Sequence, residues 1–560
     1  MKPSLSPSPR PFRAAFFVCL LAVFRATIAP ASAEVIHYGA ASSALQAVPP
    51  ELSSPHSCLH SASILQSAPP ELRGDGVSVL APTGYTSVVD NILTIDYARG
   101  GAADPTHAVG GISVTPGLAV TGNTVTLKNG RVSQSLAGGV SANGDATANA
   151  VILLGGKTTS AIGGESVNGT ASRNTAAVSG GEARSVRGGC SWTQHATENT
   201  LAVTGGDVLL ATGGESAGGD ATRNTVVFTD GRARYAVGGK SKGGEATQNT
   251  VTLAGGKVTT STVGGESKDG DAIQNTVTLA GGATTGSVLG GHSSSGAASK
   301  NSVTMTGGRA SSSICGGTSD DGDATGNTVT VAGGIVNGII CGGRSKAGHA
   351  THNTVTISGG KIGHTIHGGH SGDYFVSEEY RTGSLKKTMS LVTGKYRGDA
   401  TDNTVTLTGD ADLTDTTVLT GGFTGSSGEA RKGNTLHIDR WTGVTRAHIA
   451  HFENYRFTLP ANLADGQSIL TTSNSVDLGD AANIRLDFAA APAALREGFS
   501  IHLISVSTDG ARDAMTGTLA NTRASATVGA ISYTFDIALQ DPVKAGHKSL
   551  TATLRKVVGQ

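Results

Sequence analysis

The chain is predicted to be all-β: a single-stranded right-handed parallel β-helix, or β-solenoid, of 25-26-residue coils with a β-rich C-terminal cap. Three observations predict it: an asparagine recurring at a fixed interval, a period-two apolar pattern after each copy, and glycine pairs at fixed places between copies. The asparagines are Asn123, Asn149, Asn174, Asn199, Asn224, Asn249, Asn275, Asn301, Asn327 and Asn353, then Asn403 after a longer step, with looser copies at Asn91 and Asn434. A fixed period of this length marks stacked structural units rather than one globular core.

Each element of the repeat has a physical reading. Positions two and four after the asparagine are apolar in every copy, as in Val251 and Leu253 or Val355 and Ile357, and the positions beside them are mostly threonine. That alternation is a strand with one dry face and one wet face, and β-branched residues suit its pleated surface. A Gly-Gly turn follows, such as Gly255-Gly256; a second short run then ends in another pair, such as Gly264-Gly265. A polar turn, often Gly-Asp-Ala-Thr as in Gly219 to Thr222, leads to the next asparagine. Two or three short strands with tight corners make one coil. The asparagine lies on the inward face. Identical asparagines one rung apart, roughly 4.8 Å, can hydrogen-bond to one another and to turn backbone, forming a structural ladder that satisfies buried polar groups.

Residues 1-33 read as a signal peptide: Lys2, Arg10 and Arg13 precede the apolar stretch Ala14 to Phe24, and Ala31-Ser32-Ala33 offers a small-residue cleavage site. Export is therefore expected. Residues 34-75, with Pro49-Pro50-Glu51-Leu52 echoed at Pro69-Pro70-Glu71-Leu72, read as a linker or N-terminal cap, which a solenoid needs to cover its unpaired end. Residues 76-445 are the solenoid repeats, with an insertion loop at 370-398. Residues 446-560 lose the glycine pairs but keep alternating segments, such as Asn483 to Phe488 and Phe499 to Val506, and read as the cap.

Composition bounds the partners. Lysine plus arginine equals aspartate plus glutamate at 42 each, and no basic stripe is visible along the repeats, so a nucleic acid is not expected. No cofactor or metal site is expected, and the rod is expected to be a monomer. Cys315 and Cys341 occupy equivalent positions in adjacent coils, in a column shared with Ile162, Val237, Val263 and Leu289 and expected to point inward. A disulfide between them, favoured by one-rung spacing and export, and a stacked pair of buried thiols both stand open. His367 is next in that column.

No Gly-Asp-Ser-Gly-like nucleophile turn occurs, and no catalytic residue is assigned. The acids nearest to a carboxylate cluster are Asp145, Asp220, Glu245, Asp271, Asp323 and Asp399, all four before a ladder asparagine, but Thr170, His195, Ala297 and His349 break the column. A carbohydrate-active β-helix enzyme, a polysaccharide lyase or hydrolase, would need such a cluster and is the alternative reading. The preferred binding residues lie where the ladder is interrupted: Tyr374, Phe375, Glu378, Glu379, Tyr380 and Tyr396 in the insertion, the tripeptide Arg397-Gly398-Asp399 at its end, and a second such tripeptide, Arg73-Gly74-Asp75. The outward Thr-Val-Thr phrases from Asn249 to Asn353 also form an array like that of ice-binding solenoids, broken elsewhere by Ile152, Ala177, Ala202 and Val227.

The export signal, the Gly-Gly/Asn-Thr-Val coils and the phrase His451-Phe452-Glu453-Asn454-Tyr455-Arg456-Phe457-Thr458-Leu459-Pro460 together resemble an autotransporter passenger, of the bacterial type V secretion family. The resemblance covers about residues 75 to 560. It implies an adhesin-like or structural rod at, or released from, the surface of a Gram-negative bacterium, with residues 446-560 as an autochaperone-like cap and a host surface protein or glycan as partner. It also implies an outer-membrane translocator barrel, for which the residues after Leu550 leave no room. A passenger separated from its barrel, a degenerate member and a free exported solenoid, periplasmic if no translocator exists, all stand open.

Overall fold

The computed structural model describes residues 35–38, 78–80, 87–96, 107–372, 398–425, 428–492, 495–507, 515–540 and 547–559. These residues contain strands, bridges and turns and no helix. They form a β-solenoid of about 14 stacked parallel turns of about 26 residues each.

One coil stands for the rest. Its first strand, Thr250–Leu253, turns Val251 and Leu253 into the core. The second, Lys257–Ser267, follows the Gly255-Gly256 turn, and a two-residue corner strand, Ala272–Ile273, closes the coil. Each strand pairs in parallel with its copy one coil on, Val251 with Val277, Val263 with Leu289 and Ala272 with Ala298. The main core is a continuous column, mostly of small and medium side chains before Trp441, which explains how a chain so poor in aromatics buries a core at all: the coil is thin, and stacking rather than thickness removes apolar surface from water.

The asparagine ladder runs unbroken from Asn91 to Asn434. In each rung the backbone N–H and the side-chain Nδ2 both donate to Oδ1 of the next asparagine, as Asn224 does to Asn249 at 2.9 and 3.0 Å. Nδ2 also donates to a corner-strand carbonyl one coil back, Ala196 O at 2.8 Å. Every buried donor and acceptor of the carboxamide is thereby engaged. The 50-residue step is invisible to it: Asn353 Nδ2 donates to Asn403 Oδ1 at 3.0 Å. Asn91 and Asn434 are full members, the first donating to Asn123 and the second accepting from Asn403.

Two local features hold the corner. The residue before each asparagine sits in the left-handed region, as in Arg223 (φ 54°), Gln248 (φ 57°) and His352 (φ 57°), with glycine there only at 122, 326 and 433. Left-handed backbone disfavours residues with a Cβ, so the turn is imposed by the stack and not by local preference. Opposite the ladder, the second glycine of each inner pair lies so close to the carboxamide that a Cβ on Gly265 would overlap Asn275.

The cap begins later than the loss of glycine pairs suggests, and the expected boundary at 446 falls inside the stack. Asn454–Leu459 pairs in parallel with Asn483–Phe488, Ser468–Thr472 with Ser500–Ser507, and Val476 with Met515. Here Phe452, Tyr455 and Phe457 fill the interior, so the coils continue with larger side chains instead of glycine pairs. Arg523–Val528 pairs antiparallel with Ile531–Gln540. The final strand, His547–Gly559, pairs antiparallel with both Ile531–Gln540 and Ser500–Ser507, covering an edge that would otherwise present unpaired backbone groups.

Candidate functional site

The acidic column serves the backbone. Asp220 Oδ1 accepts the Glu245 N–H at 2.9 Å, Asp271 that of Ala297 at 2.8 Å, and Asp323 that of His349 at 2.8 Å. Where histidine replaces aspartate, its Nδ1 does the same: His195 accepts the Asp220 N–H and His349 the Asp399 N–H, both at 3.0 Å. Aspartate and histidine in this column thus share one role, an acceptor reaching one rung up. A serine column works beside it, Ser267 Oγ donating to Gly244 O and accepting from Gly270 N. These are corner fittings.

The sequence-derived binding residues are only partly in view. Tyr374, Phe375, Glu378, Glu379, Tyr380, Tyr396 and Arg397 lie outside the described residues, as do Arg73, Gly74 and Asp75. Gly398 and Asp399 are corner residues: Asp399 Oδ1 accepts the Glu429 N–H at 2.9 Å, and Gly398 packs against Gly348 and Ser371. The aspartate of that tripeptide thus belongs to the same fitting as Asp220.

A lengthwise seam follows the inner glycine pairs. The column before each pair (Ile162, Arg187, Val237, Val263, Leu289, Cys315, Cys341, His367) and the column after it (Glu165, Cys190, Glu215, Lys240, Glu266, His292, Arg344, His370) meet on one side of the kinked strand. Contacts across it include Ile162 with Cys190, Arg187 Nε with Glu215 Oε2 at 2.5 Å, and the His367 and His370 rings at 5.6 Å. The expectation that the cysteine column faces the main core is corrected: its members, apart from the half-buried Leu289, are buried, but they pack in this seam, apart from the core. Cys315 and Cys341 are free, stacked thiols rather than a disulfide, with Cys341 Sγ donating to Gly343 O at 3.0 Å. Burial pushes the Cys341 thiol up.

Burial also sets the charge states in the seam. It alone would raise the Glu215 carboxyl, but Arg187 and then Lys242 outweigh it and hold the group below the usual glutamate range. His367 is pushed down to about 3 by burial, with His451 and His364 adding to it, and His370 is lowered by burial and by His367. Both histidines are therefore neutral at physiological pH, and His367 Nδ1 lies 2.7 Å from Thr420 Oγ1. Among the described residues no group of three or more histidines, cysteines or carboxylates is arranged to hold a metal ion.

One surface was missed by the sequence reading. A trough of about 740 Å³ crosses the outer face of the second strands and is lined by Arg131, Lys157, Arg184, Arg232 and Arg234, with Glu182 and Asp207. The absence of a basic stripe is thus corrected locally. Its cations come from four coils and two registers, with successive cation-bearing coils 26 to 48 residues apart and acids interleaved in sequence, so no linear window shows them. Reading down the register from Arg131 through Lys157 to Glu182, Asp207 and Arg232 would have found them.

No protein-family model matches the chain, and no curated protein is similar to it in sequence.

Proposed function

We propose that this protein is an exported bacterial β-solenoid of the autotransporter-passenger type, adhesin-like and non-catalytic, whose rod serves to present surface features at a distance from the cell. The observation that carries the reading is the fate of the acidic column: all five of its aspartates, which a polysaccharide lyase or hydrolase would need, accept a backbone N–H of the following coil. Antiparallel covering of the last coils supports it, since an exported rod needs a closed end. About 14 turns at roughly 4.8 Å give a rod on the order of 65 Å.

The test is an array of glycans and matrix proteins probed with the full chain and with a variant lacking residues 373–397. Saturable binding to a defined ligand by the full chain supports the reading. Turnover of a polysaccharide by the purified chain would overturn it in favour of the enzyme.

A further inference from the structure

We infer that the trough on the second strands is a binding site for a linear anionic glycan, one carrying carboxylate or sulfate groups along its length. The inference deepens the adhesin-like reading and rests on it. Arg184, Arg232 and Arg234 are all exposed and project into the trough. Arg184 and Arg232 make no ion pair with any described residue, and Arg234 donates only to a hydroxyl, that of Thr260, at 3.3 Å. By contrast Lys157 and Glu182 neutralise each other at 2.7 Å. Two guanidinium groups thus stand without an ion-pair partner, and a third is held only by a hydroxyl and the face of Tyr235, in a concavity of about 740 Å³ on a chain of zero formal net charge. Guanidinium is the donor that matches carboxylate and sulfate oxygens in pairs.

The spacing argues for a polymer rather than a small anion. Arg184 and Arg234 share a register two coils apart, about 10 Å along the rod. Between them the half-buried Leu209 supplies an apolar floor, and the Thr159 hydroxyl lies on the same register one coil before Arg184. Separated cations, an apolar patch and hydroxyls complement a sugar chain, whose rings carry C–H faces and hydroxyls between anionic groups. A single-stranded nucleic acid would need aromatic platforms for its bases, and Tyr235, the aromatic beside the trough, already has the Arg234 guanidinium 5.5 Å from its ring centre.

The experiment is fluorescence anisotropy of labelled heparin oligosaccharide with the full chain, in competition with polygalacturonate, dextran and single-stranded DNA. The variant R184Q/R232Q/R234Q should weaken heparin binding on the order of a hundredfold and flatten its salt dependence. R309Q, on the same face outside the trough, should leave it unchanged. Retained melting of the triple variant shows that the loss is not unfolding. If the chain binds heparin and the triple variant binds equally well, the trough is not the site, while the adhesin-like reading stands. If DNA competes as well as heparin, the glycan assignment is overturned. If neither heparin nor any array ligand binds, both readings fall.

Discussion

Replacing Asn275 by alanine tests the ladder most directly. The side chain donates from Nδ2 to Ala246 O at 2.8 Å and to Asn301 Oδ1 at 3.0 Å, and its Oδ1 accepts from Asn249 N at 2.9 Å and Asn249 Nδ2 at 3.0 Å. Asn301 Oδ1 keeps a partner after the change, because the backbone N–H of residue 275 still reaches it at 2.9 Å. Three fully buried groups are left without theirs: the Asn249 N–H, one hydrogen of its carboxamide and the Ala246 carbonyl. At about 1–3 kcal/mol for each orphaned group, the expected cost is on the order of 5 kcal/mol. In a solenoid this falls on the adjoining rungs and not on the whole chain, so the assay is native-state hydrogen exchange read at the Asn249 amide. Thr276→Ala, on the outward face of the same strand, is the control and should change protection by less than about 0.5 kcal/mol. A loss below tenfold at Asn249, or equal losses in both variants, would refute the reasoning. Asn275→Asp adds a signed check. It keeps the acceptor but turns a carboxylate oxygen toward Ala246 O, which favours the protonated acid and raises its folded pKa. Its deficit relative to wild type should therefore shrink as pH falls, as the Ala variant's should not.

Three further outcomes follow from the same geometry. Gly265→Ala drives a Cβ into the Asn275 carboxamide and should cost several kcal/mol by chemical denaturation, but much less in an Asn275→Ala background; additive losses would show that the two do not collide. At the left-handed corner, Gly326→Ala (φ 64°) should cost about 1 kcal/mol and Gln248→Gly (φ 57°) should be neutral to stabilising, a reversal measurable by thermal melting. Acidification should loosen the seam. Because the folded pKa of His367 is about 3, its contribution is whole above the ordinary histidine value and is lost below it, at up to about 1.4 kcal/mol per pH unit. Hydrogen exchange around Thr365–Ser371 should accordingly accelerate from pH 7 to pH 5, and His367→Gln should reduce that pH dependence.

The coil architecture was legible because its causes are local and repeated. Val251 and Leu253 announce a dry face, Gly264-Gly265 a close approach, and Asn249 and Asn275 a column, all within one period. The left-handed residue before each asparagine was not legible: Ala148, Glu198 and Arg223 share no side-chain chemistry, and the stack alone holds them there. Cap placement failed for a related reason. The coils after residue 446 exchange glycine pairs for Phe452, Tyr455 and Phe457, so the compositional signature stops while the parallel pairing continues. The cysteine column was read as a core column from its neighbours Ile162 and Val237. Arg187, in that same column, was the residue that contradicted it, and its partner Glu215 comes from the other side of the seam.

These misses have a common physical origin. The ladder and the glycine pairs fix the register of every coil, so an outward side chain has its nearest neighbours one rung away, at positions about 25 residues removed in sequence. Electrostatics then acts down columns, not along the chain. Arg184 and Arg234 are 50 residues apart yet about 10 Å apart on the surface, well within reach of a single extended ligand and about one Debye length at physiological salt. Nor does the ladder need any particular residue at those positions, because its hydrogen bonds close on the inward face. Outward substitutions are consequently cheap in stability, and a rod can alter the charge of one column over a few coils without disturbing its core. Recognition in such a protein is therefore written where an outward column changes its chemistry, and the trough from Lys157 to Arg234 is a change of that kind.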